Sequence, residues 1–388
     1  MPNTPVNVEQ AVKDRYSKAA GAREDALCCP VEYDDRYLEV IPKEILERDY
    51  GCGDPSRHLR PGQTVLDLGS GGGKICYIAA QVVGPEGHVI GIDMNGEMLE
   101  LAERYRKEIG NRIGYHNVTF YKGKIQDLAL DYGKVEQYLA QNPVTTLAGL
   151  ESLEAWKAEQ RRDDPMIPTA SVDAVISNCV LNLVRPEDKS QLFLEMHRVL
   201  KKGGRVVISD IVSDEDVPAP LQADPELWSG CLSGAFREDR FLAAFEKAGF
   251  YGIQILKRDQ KPWQTVEGIE FRAVTVAAYK GKEGPCLERQ QAVIYKGPWR
   301  SVTDDDGHTL YRGQHMAVCD KTFHIYSSEP YRDSIEPVEP YKDTPLAEAP
   351  PFDCRGDAVR DPRETKGIDY KVTETTGAPY CGPDGDCC

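Results

Sequence analysis

The stretch Thr64–Lys74, "TVLDLGSGGGK", decides how the rest of this chain is read. A short run of β-forming character, "TVLDL", places the acid Asp67 near its end. Four glycines then fall within the five positions from Gly69 to Gly73, and Lys74 opens the helical run "KICYIAAQVV", which the turn signal Gly84-Pro85 closes. The order is strand, tight loop, helix. Glycines in such a loop let backbone N–H groups and the helix N-terminus come close to a ligand, where a Cβ would stand in the way.

Outward from the loop the pattern repeats. "HVIGID" predicts a second strand ending in Asp93, and "GEMLELAERYRKEIG" after it has its apolar residues at helical spacing. "NVTFYKG", "VDAVIS" and "GRVVISDI" supply three more strands. Strands alternating with helices predict an α/β fold with a mostly parallel, doubly wound sheet. The segment 1–60 reads as helical, with "VEQAVKDRYSKAA" and "PKEILERDYG" as its clearest pieces, and 61–213 as the sheet domain. The connection 127–170 is far longer than usual and holds "GLESLEAWKAEQRR", an exposed helix by composition, so it is read as a surface insertion. Residues 214–327 alternate between one helix and strand-like runs, which predicts a smaller α+β domain. Residues 328–388 contain nine prolines and few apolar runs, which predicts an extended tail.

Composition narrows the function. The formal charge of -16 disfavours nucleic acid, whose recognition rests on dense basic surface, and "RYRK" at Arg104–Lys107 is a solvated helix face. No window approaches a membrane span and the first residues lack the apolar core of a signal peptide, so a cytoplasmic, membrane-free and monomeric protein is expected. The 12 cysteines then need a role, because a reducing compartment seldom supports a disulfide framework. No Cys-x-x-Cys occurs, and the 7 histidines show none of the spacing of zinc sites.

The loop itself points to a cofactor. "GSGGGK" lacks the last glycine of a dinucleotide fingerprint and has an acid before its first. That fits a cofactor without a pyrophosphate, S-adenosylmethionine, with Gly69, Ser70 and Gly71 under its aminoacyl end, Asp67 near its amino group and Asp93 accepting from the ribose hydroxyls. Met94 would lie along the adenine, and Ile125, after the third strand, would touch it. Tyr50 is a candidate for stacking, and Asn178 for positioning backbone near the methyl group. The motif set resembles the class I methyltransferase signature, a Rossmann-like sheet.

With the cysteine motifs added, the resemblance becomes narrower. "YGCG" at Tyr50–Gly53, "LDLGSGGGKICYIA", "GHVIGIDM", "SNCVLNLV" around Cys179 and "SGCLSGA" around Cys231 are together similar to the arsenite methyltransferase family, over about residues 10–330. That resemblance implies Cys179 and Cys231 as the arsenic clamp, with Cys52 able to join them. It also implies a reducing role for Cys52 with an N-terminal thiol, Cys28 or Cys29, and a glutathione- or thioredoxin-type reductant that resets the pair. The chemistry agrees: trivalent arsenic is soft and three-coordinate, thiolates are the soft ligands a protein offers, and its lone pair can attack a sulfonium methyl without a strong base. Cys76, Cys286 and Cys319 are read as small packing residues. The tail thiols Cys381, Cys387 and Cys388 have no fixed spacing. Two other readings stay open: a small-molecule C- or N-methyltransferase with incidental cysteines, and a thiol-rich arsenic or metal sequestration protein on an inactive fold.

Overall fold

The computed structural model of the chain describes residues 8–21, 24, 31–48, 50–354 and 358–373. Ahead of the glycine loop it forms α1 (Val8–Gly21), α2 (Asp35–Leu38) and α3 (Lys43–Glu47). Then follow β1 (Thr64–Leu68), α4 (Lys74–Val83), β2 (His88–Asp93), α5 (Gly96–Ile113) and β3 (Val118–Lys122). The long connection folds into α6 (Tyr132–Gln141) and α7 (Leu147–Asp163) before β4 (Val172–Asn178), α8 (Pro186–Val199) and β5 (Leu200–Ser213). After β5 come the short helices α9 (Ala219–Gln222) and α10 (Pro225–Ser229), then β6 (Phe236–Arg237), α11 (Glu238–Lys247), β7 (Tyr251–Arg258), β8 (Gln264–Val266) and β9 (Ile269–Tyr279).

The main sheet runs β3-β2-β1-β4-β5-β9-β7, parallel except for β9, which is antiparallel to both β5 and β7. β1 lies between β2 and β4, in register Leu66 with Ile90 and with Val175. Both faces of such a strand meet helices, so its residues read as a continuous apolar run. On one face Ile75, Ile78, Ala79 and Leu101 of α4 and α5 pack on Val65, Ala174 and Val207. On the other, Leu192, Phe193 and Met196 of α8 and Phe241 and Phe245 of α11 pack on Leu66, Val175, Val206 and Ile208. The expected doubly wound α/β sheet is what forms.

The expected division of the chain needs correction. The strands after residue 214 do not make a separate α+β domain: β7 and β9 extend the main sheet, because β9 pairs with β5 along nine residues from Phe271 to Tyr279. The two compact units are 1–281 and 282–388. The second unit contains β10 (Ala292–Tyr295), β11 (Ser301–Thr303), β12 (Thr309–Tyr311), β13 (His315–Ala317), α12 (Asp320–Tyr326), β14 (Ile335–Val338) and α13 (Pro362–Lys366). β10 is flanked by β13 and β14, and β11 pairs with β12. The proline-rich segment is therefore only partly a tail, since β14 is hydrogen-bonded to β10 over a core of Val293, Tyr295, Phe323, Tyr326 and Ile335. The run "DKTFHIY", inside the stretch 214–327 where one helix and otherwise strand-like runs are expected, is helix α12. The Cys319 thiol caps it by accepting the Thr322 N–H at 3.4 Å, and Phe323 and Tyr326 share its buried face at helical spacing. In the insertion, α7 buries only Leu153.

Phe245 lies edge-on to Phe193 at 4.8 Å between centroids and to Phe241 and Phe250 at 5.3 and 5.9 Å, with no exposure. Phe245→Ala is expected to lower the unfolding free energy of the sheet unit by about 3–5 kcal/mol, read as a fall in the urea midpoint.

Candidate active site

At the cofactor end the glycine loop is fixed from β2. The N–H groups of Gly69 and Ser70 donate to the carbonyl of Ile92 at 2.8 and 2.9 Å. The Asp93 carboxylate accepts the N–H of Gly71 at 2.9 Å and that of Asn95 at 2.8 Å, one on each oxygen. Asp67 is buried and accepts the Cys76 thiol at 3.2 Å, so Cys76 packs under the loop, as its position in the core of α4 predicts. Ser70 brings a hydroxyl that is buried and has no hydrogen-bond partner among the described residues. An orphaned buried hydroxyl on a loop whose Gly69, Ser70 and Gly71 N–H groups are already bonded elsewhere fits a polar cofactor end. Met94 is 40% exposed beside Asp93, whereas Ile125 is packed in the core with Leu66 and Ile92. Tyr50 turns its hydroxyl to the N-terminal segment, accepting the Glu24 N–H at 2.8 Å.

At the thiol end the stretch Asn178–Asn182 brings three segments together. Asn178 is buried there and bonded to the backbone of the Cys52 turn. Its Oδ1 accepts the N–H groups of Cys52 and Gly53 at 2.9 and 3.1 Å, and its Nδ2 donates to the Gly53 carbonyl at 2.8 Å. A Cβ on Gly51 would stand 2.2 Å from Asn178 Nδ2, which explains the glycine in "YGCG". Four residues on, Asn182 Nδ2 donates to the carbonyls of Ile211 and Cys231 at 2.6 and 3.1 Å. A Cβ on Gly234 would meet the Asn182 carbonyl at 1.9 Å, so the "SGCLSGA" segment needs glycine to approach. The Cys231 thiol donates to the Cys179 carbonyl at 3.2 Å. Cys52 and Cys179 belong to one apolar cluster with Ile211, Leu232 and Phe271.

Cys179 and Cys231 have φ of 63° and 64°, two of only five non-glycine residues in the left-handed region among the described residues. Such backbone costs about 1–3 kcal/mol and persists where its surroundings hold it. Cys179 stands just past the carboxyl end of β4, where open α/β sheets bind ligands, and Cys231, in the turn after α10, is brought to it by the Asn182 amide and by its own thiol on the Cys179 carbonyl. Cys28 and Cys29, like Cys381, Cys387 and Cys388, lie outside the described residues.

Several residues of this site carry no motif. Tyr16, on α1, lies 3.8 Å from the Cys231 Sγ, and burial, reinforced by the two nearby cysteines, pushes its hydroxyl well above the usual tyrosine range. Asp210 is buried at the end of β5 and accepts the N–H groups of Leu181 and Ile211, both at 2.8 Å. Burial raises its carboxyl to about 6, against the pull of those hydrogen bonds and of Lys189. Lys189 is in turn lowered to about 8 by burial, and donates to the Gly234 carbonyl. An acid inside the apolar run "VVISDIV" was the available signal for Asp210, because a buried carboxylate requires dedicated partners. Trp228 is 3% exposed and its ring packs beneath the Cys231 segment, with Nε1 donating to Leu183 at 3.4 Å.

Removing the Asn178 amide takes away the oxygen that accepts the N–H groups of Cys52 and Gly53 and leaves the Gly53 carbonyl with the Tyr33 hydroxyl at 3.3 Å. Asn178→Ala is expected to cost about 2–4 kcal/mol and to speed alkylation of the 4%-exposed Cys52 at least about tenfold, read by peptide mass spectrometry. An unchanged rate would remove Asn178 from this role. The raised Asp210 carboxyl also fixes a pH dependence. Its folded value near 6 exceeds the unfolded 3.8, so the native state holds the proton more tightly, and the stabilisation is full below about 4 and lost as pH rises through 6. Urea titrations at pH 4 and 7 should show the native chain gaining up to about 3 kcal/mol over Asp210→Asn at the lower pH.

The geometry agrees with what the chain is similar to. The profile of a methyltransferase domain family matches residues 59–144 and 150–249, and that of a domain of unknown function matches 282–370, within the second unit. The arsenite methyltransferase of Mus musculus is 31% identical over 296 residues, covering 74% of this chain and 69% of that protein. The arsenite methyltransferase of Aquipseudomonas alcaligenes is 29% identical over 337 residues, covering 82% and 87%. A crystal structure of an arsenic(III) S-adenosylmethionine methyltransferase from Chlamydomonas reinhardtii superposes with a TM-score of 0.54 at 26% identity, covering 84% of this chain and all of that one. With a similarity that extends over more than two thirds of both chains in the murine case, this chain belongs to the arsenite methyltransferase family.

Proposed function

We propose that the chain methylates trivalent arsenic, using S-adenosylmethionine and holding the substrate on Cys179 and Cys231. The observation that carries this is the pair of cysteines in left-handed backbone, Cys179 at the carboxyl end of β4 and Cys231 with its thiol 3.2 Å from the Cys179 carbonyl. Gly69, Ser70, Gly71, Asp67 and Asp93 are the residues that would hold the cofactor, which when bound supplies an electrophilic methyl group on a sulfonium sulfur. The protein's own part is then to position a nucleophile. Two thiolates replace oxygen ligands on arsenic and leave its lone pair outward; Cys52 shares an apolar cluster with Cys179, but the thiols of Cys52, Cys179 and Cys231 do not all lie within 4.8 Å of one another, so a third bond from Cys52 requires its turn to move inward. No base is needed, and the buried Asp210 and Lys189 act on the backbone of the clamp, not on the substrate.

A methyl group added to trivalent arsenic leaves it formally pentavalent. Two thiols that lose two electrons and two protons to form one disulfide return it to the trivalent state. Cys52 with Cys28 or Cys29 is assigned to that step, and a glutathione- or thioredoxin-type reductant to reopening the disulfide. No helix among the described residues is long and apolar enough to cross a membrane.

With S-adenosylmethionine, arsenite and a thiol reductant, methylated arsenic should form, as read by arsenic speciation. Cys179→Ser should abolish methylation of both arsenite and monomethylated arsenic. Cys52→Ser should lose the first and keep the second within about threefold, so equal loss of both would refute its reducing role.

A further inference from the structure

The second unit contains a thiol cluster with no spacing signature. Cys286, Cys319 and Cys354 have sulfur atoms that all lie within 4.8 Å of one another, and all three are reduced. Read singly from the sequence, Cys286 and Cys319 are packing residues; the fold groups them with Cys354. Backbone hydrogen bonds join the three segments beside the thiols: Phe352 N–H to the Cys286 carbonyl at 2.9 Å, Glu288 N–H to Pro350 at 2.8 Å and Asp320 N–H to Leu287 at 2.9 Å. Cys319 is 1% exposed and held by Thr322, while Cys286 and Cys354 are half-buried. The cluster thus has a fixed floor and two thiols nearer solvent.

Its donor set selects a ligand. Three sulfurs within 4.8 Å of one another on a stitched backbone are soft donors that side-chain rotation can bring onto one ion. Structural zinc takes four ligands, and among the described residues no imidazole or carboxylate joins these three at the same range. Trivalent arsenic takes three and keeps its lone pair. We propose that Cys286, Cys319 and Cys354 form a second arsenite-binding site, in the C-terminal unit and apart from the methylation centre. Binding exchanges three As–O bonds for three As–S bonds: arsenous acid and three thiols give the trithiolate and three waters, with no change of oxidation state. The choice of arsenic among soft ions rests on the proposed activity, whereas the existence of a three-sulfur site does not.

The test uses the full chain with Cys28, Cys29, Cys381, Cys387 and Cys388 changed to serine, so that these thiols contribute nothing. After incubation with arsenite and excess glutathione and then gel filtration, mass spectrometry should count about two arsenic atoms per chain, and X-ray absorption should find three sulfurs around arsenic. Cys286→Ser and, separately, Cys354→Ser should each lose one arsenic. These two are chosen over the buried Cys319 to spare the fold, which near-UV circular dichroism checks. In the otherwise native chain, Cys286→Ser should keep the initial methylation rate within about twofold. Retention of both arsenic atoms by the two variants would overturn the site, as would zinc in the purified protein that Cys286→Ser removes. Loss of one arsenic in Cys286→Ser, with no methylated product from any chain, would instead uphold the site and refute the proposed activity.

Discussion

The turn Asn178–Asn182 is the constraint on which the thiol end depends. Cys179 stands between two asparagines, and each asparagine holds the segment that carries one of the other cysteines. Asn178 holds the Cys52 turn by three hydrogen bonds, and Asn182 holds the carbonyl of Cys231. A buried amide left without these partners would cost about 1–3 kcal/mol per group, so the three segments are committed to one another. The glycines at Gly51 and Gly234 make that closeness possible, since a Cβ at either would collide with Asn178 or Asn182.

Below this turn the support is electrostatic. Asp210 fixes the backbone on both sides, at Leu181 and Ile211, and Lys189 fixes Gly234 next to the Cys231 loop. Both charges are buried, so each is shifted toward its neutral form, and the pair persists because hydrogen bonds offset part of the desolvation. This explains how two left-handed cysteines are tolerated. The strain at Cys179 is held by Asp210 and by its own N–H donating to Ser209 at 2.8 Å, and the strain at Cys231 by Asn182.

The sheet and the glycine loop were legible in the sequence because they follow local rules: apolar runs of strand length, helical spacing, glycines at a turn. Asp93 was legible for the same reason, standing at the end of a strand. Asn178 is legible as a residue that positions backbone, but which backbone it holds is not, because the Cys52 turn is far away in the chain. The domain boundary was missed because β9 resembles a strand of any sheet until its pairing with β5 is known. Cys286, Cys319 and Cys354 were out of reach for a stronger reason: their meeting is produced by backbone pairing between segments that no periodicity links.

Helix α1 joins the two ends of the active site by interactions of a different kind. On the cofactor side, Asn95 Nδ2 donates to Ser17 Oγ at 3.0 Å and Ser17 donates to Glu97 at 3.1 Å. On the thiol side, Arg15 reaches Ser229 at 3.1 Å and Tyr16 meets Cys231. Glu9 pairs with Lys124 at 3.0 Å, but both side chains are more than a quarter exposed, and such pairs contribute little. Ala19 and Ala20 are the α1 residues buried among those whose burial is described, small side chains that remove little apolar surface from water. The clamp is therefore held by buried amides and charges, and its cover by half-exposed contacts. By the energetics of local opening, the cover is the part that can part from the site while the cysteine turn stays intact.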